Sequence, residues 1–496
     1  MSGRQHVYLR SLHESYGPVV RTSPNDLSFC GGTAWEDIYG AKSNMEKSSV
    51  VTGAIRSKTG AVAMSVARAE AHDRMRKAWA YPFSTTALLQ QEALVTGHID
   101  KMINQLRLLA SQNPKGVDQS HCLGQAVVDL SSWFKYLTFD ILGELTFAEP
   151  FGCLDQGADT KWSTSVSQLG RAVMMEQPTR RLVGEGRLQK ALLRLLVPKD
   201  AMKWRLTHFE NSTRKTLHRI ADEDRSHKDF LFYILKNSDA KRALTVDEIV
   251  VNSSLMIAAG SDTTAVMLSG WANLMMRNQE AYQKLIDEIR TTFQSETDIT
   301  WSSVKDLRYL GACINESMRL FPPFPISLIR VTPTGSSLID GNMVPGNVSS
   351  LGWRIILFIE KLFLPFLVKL AEGFCKQTNV SVAPWAANYS PSNFKNPEAF
   401  IPERWLDTEA GDPYKNDNRG MSQPFSLGPR GCLGKNLSHL EQRLIISRLI
   451  WNFDLEFEGG HSRAWKWHTA EDFKSLKAFI SWIVPALMVR IQTVNQ

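Results

Sequence analysis

The chain has 496 residues, 43% of them hydrophobic and 22% charged, a globular composition that excludes collagen-like, disordered and disulfide-scaffold classes. Lysine and arginine number 57 against 50 aspartates and glutamates, a net charge of +7 spread along the chain. That surplus suits an acidic partner or an anionic membrane surface and is too weak to indicate nucleic acid.

The six cysteines, Cys30, Cys122, Cys153, Cys313, Cys375 and Cys432, lie far apart with no Cys-x-x-Cys. They read as mostly buried thiols in a reducing compartment. The N-terminus, Met1-Ser-Gly-Arg-Gln-His6, has no apolar stretch, so neither a signal peptide nor a start anchor is expected. The longest apolar region, Leu351 to Leu370, is broken by Arg354, Glu360, Lys361, Pro365 and Lys369. A membrane span needs about 20 mostly apolar residues, so no transmembrane segment is expected.

In chain order, β-type runs are expected near Val19 to Phe29, around Ile326 to Val331 and at Ala486 to Ile491. Thr85 to Leu109 and Gln125 to Thr146 read as helices. The clearest helix starts at Thr245, where Thr245-Val-Asp-Glu248 forms a capping box, and runs to about Arg277. At 1.5 Å per residue it is roughly 45–50 Å long, enough to cross a domain. It is apolar on most sides, yet its middle reads Ala258-Ala259-Gly260-Ser261-Asp262-Thr263-Thr264. A glycine there costs about 1 kcal/mol relative to alanine. Such local inconsistency marks functional sites. With no repeat and no long linker, the chain reads as one mainly α domain with a small β region.

The segment richest in chemistry is Pro424-Phe-Ser-Leu-Gly-Pro-Arg-Gly-Cys432-Leu-Gly-Lys435. An apolar stripe at helical spacing follows: Leu433, Leu437, Leu440 and Leu444. Cys432 therefore sits near a helix N-terminus, where the dipole and free amides favour a thiolate. Gly428, Gly431 and Gly434 allow the backbone close to a flat ligand, and Arg430 offers a fork for carboxylates. A lone cysteine in a tight turn is ordinarily structural, but the pattern Phe425-x-x-Gly428-x-Arg430-x-Cys432-x-Gly434 is far more specific.

That pattern resembles the haem-ligating loop of the cytochrome P450 family, whose cysteine thiolate binds haem iron. Other segments resemble the family in the same order along the chain. Glu316-Ser-Met-Arg319 looks like its Glu-x-x-Arg pair, on one helix face, and Pro402-Glu-Arg404-Trp405 like the segment whose arginine completes the ion pair. Ala259 to Thr264 looks like the oxygen-activation motif, with Asp262 and Thr263 as its acid–alcohol pair. His72-Asp-Arg-Met-Arg76 resembles the segment that meets a haem propionate, and Arg330 matches a strand arginine that does the same. The likeness runs from Tyr16-Gly-Pro to Pro485-Ala-Leu-Met-Val-Arg490, with phrasing closest to filamentous-fungal members of secondary-metabolite pathways.

The resemblance implies a single P450-like domain over residues 1–496 and a monooxygenase that hydroxylates, epoxidises or otherwise oxidises a small apolar substrate. Cys432 would hold the iron of haem b. Asp262 and Thr263 would be catalytic, and Gly260 would leave room for dioxygen. His72, Arg76, Arg330, Phe425, Arg430 and Gly434 would bind the cofactor. Electrons would come from NADPH through a partner flavoprotein reductase docked on the basic face near Cys432. Val62, Met64, Ile257, Ala258 and Pro325 to Leu328 would wall the substrate pocket. The alternatives are a haem-thiolate isomerase or dehydratase that needs no dioxygen, or a haem-binding protein disabled by an insertion.

Two departures accompany the likeness. The membrane helix and proline-rich hinge expected of comparable members do not appear in the residues given, which is read as either a truncated or incompletely predicted chain or a soluble variant; a place on the cytosolic face of the endoplasmic reticulum would need a restored anchor. Residues 348–377 also interrupt an otherwise continuous reading from Val344-Pro-Gly-Asn347 to Thr378-Asn-Val-Ser-Val-Ala-Pro-Trp385. The segment begins Val-Ser, which GTAAGT encodes, and ends in Gln, which CAG encodes, as an in-frame retained intron would. The other reading is an amphipathic insertion that docks on a membrane and interrupts a β-hairpin.

Overall fold

The computed structural model describes residues 2–48, 60–112, 124–168, 176–181, 183, 186–197, 199–224, 226–236, 243–346, 378–406, 412–458 and 470–494. The expected insertion at 348–377, Cys122 and Cys375 lie outside these residues.

The helices that frame the interior are α1 (Ala69–Ala80), α2 (Thr85–Ser111), α3 (Leu130–Phe147), α4 (Lys199–Ala221), α5 (Val246–Arg277), α6 (Gln279–Thr292), α7 (Arg308–Leu320) and α8 (Lys435–Asn452). α5 starts where its sequence says it should. The Glu248 amide donates to Thr245 Oγ1 at 3.2 Å, and the Thr245 amide to Glu248 Oε2 at 2.9 Å. It is buried on most sides, as its apolar circumference requires.

The β region is small. β1 (Val19–Ser23), β2 (Asp26–Phe29), β3 (Glu46–Lys47), β5 (Arg330–Val331) and β8 (Asn379–Val382) form one sheet in the order β1-β2-β8-β5-β3. β4 (Gln125–Asp129), β9 (Phe453–Phe457) and β10 (Met488–Thr493) form a second, β4-β10-β9; β6 (Ser336–Ile339) and β7 (Asn342–Pro345) pair alone. Two expectations change here. Gln125 to Thr146 is not one helix: its first five residues are β4, because Val128 and its neighbours pair with Val489 and the rest of β10. Asp129 then turns the chain into α3, accepting from Ser131 Oγ and Ser132 Oγ at 2.6 Å each. Around Ile326 to Val331 only Arg330–Val331 is strand, because only those two residues pair with β3 and β8.

The segment outside the description between 346 and 378 does not split a hairpin. It lies between β7 and β8, which belong to different sheets, and Thr378 Oγ1 donates to the Pro345 carbonyl at 2.8 Å across its two ends.

The ion-pair reading of Glu316, Arg319 and Arg404 holds, with all three side chains fully buried. Arg319 Nε and Nη2 donate to the two Glu316 oxygens at 2.8 Å each, and Arg404 Nε donates to Oε1 at 3.1 Å. Trp405 Nε1 and the Ile401 amide fill the remaining lone pairs at 2.8 and 2.9 Å. Burial opposes ionisation of Glu316, but the two guanidiniums hold its carboxyl below the usual range. Arg404 also bonds Asp417, just ahead of the Cys432 loop. The network thus ties α7 to the approach of that loop.

Candidate active site

The Cys432 loop is shaped by its own backbone. The Cys432 amide donates to the Phe425 carbonyl at 2.8 Å and the Gly431 amide to that of Gly428 at 2.9 Å. Gly428 has φ +64°, and a Cβ there would lie 2.2 Å from the Tyr39 carbonyl oxygen. Its glycine therefore serves packing against the protein rather than against a ligand. Gly434, the N-cap of α8, is different: the nearest atom to an added Cβ is 3.9 Å away, and the residue lines open space. Phe425 also lines that space and packs against the His439 ring at 5.0 Å between centroids.

The open space is a cavity of about 970 Å³. Cys432 is exposed, and it lines this cavity. Protein packed behind it pushes the thiol up; the Gly434 amide, Arg76 and Lys435 oppose that push. The other cysteines in the described residues, Cys30, Cys153 and Cys313, are buried.

Asp262 and Thr263 enter the same cavity from the middle of α5. Burial, against a weaker opposing effect of Lys135, raises the Asp262 carboxyl to about 6. A carboxyl with that value exchanges protons readily near neutral pH. The Thr263 hydroxyl donates to the Ala259 carbonyl at 2.8 Å, so its lone pairs are left to accept from the cavity side. Gly260 lines the cavity too, but the expectation that its missing side chain leaves room there needs correction. A Cβ at Gly260 would point at α3, 3.0 Å from Leu142 Cδ1.

The cationic residues singled out in the sequence converge. His72 and Arg76 on α1, Arg330 on β5 and Arg430 in the loop all line the cavity. Arg76 Nη1 donates to the Gly431 carbonyl at 2.8 Å, and Arg430 Nη1 to that of Ala67 at 2.7 Å, clamping the loop to α1. Arg330 lies over the Tyr39 ring, 4.9 Å from its centroid. His72 Nδ1 sits 2.9 Å from Asp73. The sequence missed a fifth member, Lys47 of β3, which donates to the Ser65 carbonyl at 2.7 Å. Burial first, then Arg330, Arg430 and Arg76, pulls its ammonium down to about 7. Burial likewise lowers Arg76, Arg330, Arg430 and His72. The acids answering this cluster are the half-exposed Glu46, 2.9 Å from Arg430, and the exposed Asp73. A buried surplus of positive charge fits a ligand carrying carboxylates. Together with a cavity-facing thiol and an open glycine, these residues fit haem: one sulfur for the iron, and cations for the propionates.

The pocket walls are read less well. Met64, Ala258 and Leu328 line the cavity as expected; Val62, Ile257, Pro325, Ile326 and Ser327 are not among its lining residues. Phe209, Leu255, Met256, Phe324, Phe479 and Val484, unforeseen, are. No described helix is long and apolar enough to cross a membrane.

A mainly α domain whose interior joins a loop thiol, an acid–alcohol pair and a cationic cradle defines the haem-thiolate class. The sequence profile of the family described as Cytochrome P450 matches residues 1–349 and 374–467, and the chain belongs to that family, an oxidoreductase family whose cofactor is haem iron. It is 45% identical over 500 residues to the cytochrome P450 monooxygenase aba2 of Botryotinia fuckeliana (strain B05.10), covering 99% of this chain and 86% of that one. It is 40% identical to the cytochrome P450 monooxygenase ABA2 of Pyricularia oryzae (strain 70-15), covering 99% and 87%. Identity to the cytochrome P450 monooxygenase astA of Talaromyces wortmannii is 33%, with 97% and 86% covered.

Proposed function

We propose that this monooxygenase oxidises a small, largely apolar molecule in fungal secondary metabolism, with Cys432 thiolate as its iron ligand and Asp262 and Thr263 as its catalytic pair. The observation that carries the reading is that one cavity holds Cys432, Asp262, Thr263 and the Lys47–Arg76–Arg330–Arg430 cluster. The bound haem supplies the dioxygen chemistry. The protein supplies the rest. Lys47, Arg76, Arg330 and Arg430 would hold the propionates of a bound haem. Asp262 takes a proton from water and holds it near neutral pH; the Thr263 hydroxyl, anchored on Ala259, fixes the water or oxygen that receives it. Phe209, Leu255, Met256, Phe324 and Val484 exclude water around the substrate. Electrons come from NADPH through a flavoprotein reductase that docks near Cys432.

Residues 348–377 are read as a translated retained intron. The family match stops at 349 and resumes at 374, and Pro345 and Thr378 are hydrogen-bonded across the gap. Neither residue lines the cavity, which favours an active domain over one disabled by the insertion. Sequencing the cDNA tests this: the dominant transcript lacks these thirty codons, and one retaining them would defeat the intron reading.

Purified protein mixed with NADPH and a fungal flavoprotein reductase tests the catalytic reading. It predicts oxygen uptake, and Thr263→Ala is predicted to raise the hydrogen peroxide released per NADPH while keeping the haem spectrum. Haem binding without any oxygen uptake would favour an isomerase or dehydratase.

A further inference from the structure

His208 of α4 and Ser254 of α5 both line the cavity and are buried. Their neighbours on the wall, Phe209 and Leu255, are apolar. The imidazole is fixed by a donor behind it. Trp162 Nε1, on the short helix Lys161–Ser167, donates to His208 Nδ1 at 3.1 Å. An indole nitrogen only donates, so Nδ1 is the acceptor. Burial, opposed by the Ser254 carbonyl, pulls the imidazolium down to about 4, so the ring is neutral at pH 7 and its one proton is on Nε2. Nε2 lies 2.8 Å from Ser254 Oγ and 3.0 Å from the Ser254 carbonyl oxygen, and it is the donor to both. The Ser254 hydroxyl therefore accepts from His208, and its own hydrogen has no acceptor among the described residues.

The acceptors come from the helix that carries Trp162. Ser167 is its last residue and Gln168 its C-cap, and both line the cavity. Ser167 Oγ and Gln168 Oε1 are buried and have no partner among the described residues. The chain of bonds from Trp162 through His208 to Ser254 ties this helix to α5, which brings the free Ser254 hydrogen and the unpartnered oxygens to one stretch of wall. Buried polar atoms left unpaired are costly, and in an apolar pocket a few of them set how a ligand lies. Ser254 stands eight residues before Asp262 on α5, about 12 Å along the axis. The polar spot is therefore remote from the catalytic pair.

From this geometry we infer that the substrate is an elongated apolar alcohol: its hydroxyl accepts from Ser254 and donates to Gln168, its apolar body runs along α5, and the carbon to be oxidised lies at the end remote from that hydroxyl. One donor and one acceptor satisfy an alcohol, whereas a hydrocarbon or an ether leaves the Gln168 oxygen unpaired. Arg205 of α4 also lines the cavity, and it bonds Glu176, which Arg180 bonds as well. The inference rests on the reading of this cavity as the site of oxidation.

The first test needs no turnover. Calorimetry on the haem-loaded full chain compares dodecan-1-ol with 1-methoxydodecane, and 4-cyclohexylcyclohexanol with its methyl ether. In each pair the alcohol should bind roughly fivefold more tightly or better. Ser254→Ala/Gln168→Leu should bring that ratio to about one while changing the affinity for the ethers by less than about twofold. Ser254→Thr, which keeps the hydroxyl, should keep the ratio. The second test supplies NADPH and reductase. Wild type should oxidise dodecan-1-ol at a few carbons far from the hydroxyl; in the double variant the positions should spread along the chain, with KM rising more than kcat falls. A wild-type ratio near one, or failure of both alcohols to bind, leaves the corner to water and overturns the inference. So does a ratio that survives in the double variant. Tighter binding of dodecanoate than of dodecan-1-ol would overturn it by giving the corner to Arg205. An intact calorimetric ratio with no oxygenated product would overturn the catalytic reading of the cavity instead.

Discussion

Gly260 of α5 and Leu142 of α3 face each other so closely that a methyl group between them would sit 3.0 Å from Leu142 Cδ1 and 3.3 Å from Cγ. The glycine beside the Asp262–Thr263 pair is thus a packing device: it lets the two helices approach and so fixes how far Asp262 and Thr263 reach into the cavity. Gly260→Ala gains up to about 1 kcal/mol of helix propensity and incurs overpacking of about 1–3 kcal/mol. A net loss of about 1 kcal/mol is expected in chemical denaturation. Adding Leu142→Ala should relieve the overpacking, and the double-mutant cycle should show coupling rather than additivity.

Removing Glu316 leaves two fully buried guanidiniums without their shared carboxylate. Glu316→Ala should cost about 3–5 kcal/mol and reduce the yield of folded, haem-containing protein. Because Glu316 is held below its unfolded value, its stabilising contribution is full above that value and is lost as pH falls through the folded one. Acid unfolding of the wild type should therefore be steeper than that of an Arg319→Met/Glu316→Met/Arg404→Leu variant, measured by circular dichroism against pH.

Lys47 should change sign with haem. Its ammonium is depressed to about 7 in the folded chain, so the native state binds fewer protons than the unfolded one between about 7 and 10.5. Stability of the haem-free chain should rise with pH across that window, and Lys47→Met should stabilise it at pH 7. With propionates bound, the same charge becomes favourable, and Lys47→Met should speed haem loss to an acceptor protein. A variant that behaves alike with and without haem would remove Lys47 from the anion cradle.

Asp262 is held above its ordinary value, at about 6, so the native state keeps a proton the unfolded chain releases, and stability falls as pH rises from about 4 to 6. Asp262→Asn should flatten that slope and stabilise the folded state at pH 7 by less than about 3 kcal/mol, while impairing turnover. Thermal melts of both proteins across pH 4–8 read the difference.

The parts of this architecture legible in the sequence are those written locally. The Thr245 capping box, the Glu316–Arg319 pair one turn apart and the Cys432 loop each carry their geometry within a dozen residues. What stayed hidden is set by distant partners. Gln125–Asp129 becomes a strand only because β10, more than 350 residues later, pairs with it. Lys47 joins the cationic cluster because β3 lies beside β5, which a two-residue strand cannot announce. Ile257 and Ala258 are adjacent in sequence, yet only Ala258 lines the cavity, because the packing of α5 decides which side of the helix faces inward.

The most direct test of the account is the difference spectrum of the reduced, carbon monoxide-bound protein, recorded for wild type and Cys432→Ser after haem supplementation. The account predicts the red-shifted Soret band of thiolate ligation in the wild type and its loss in the variant. A wild-type chain that takes up no haem, or a variant that keeps the thiolate band, would contradict it.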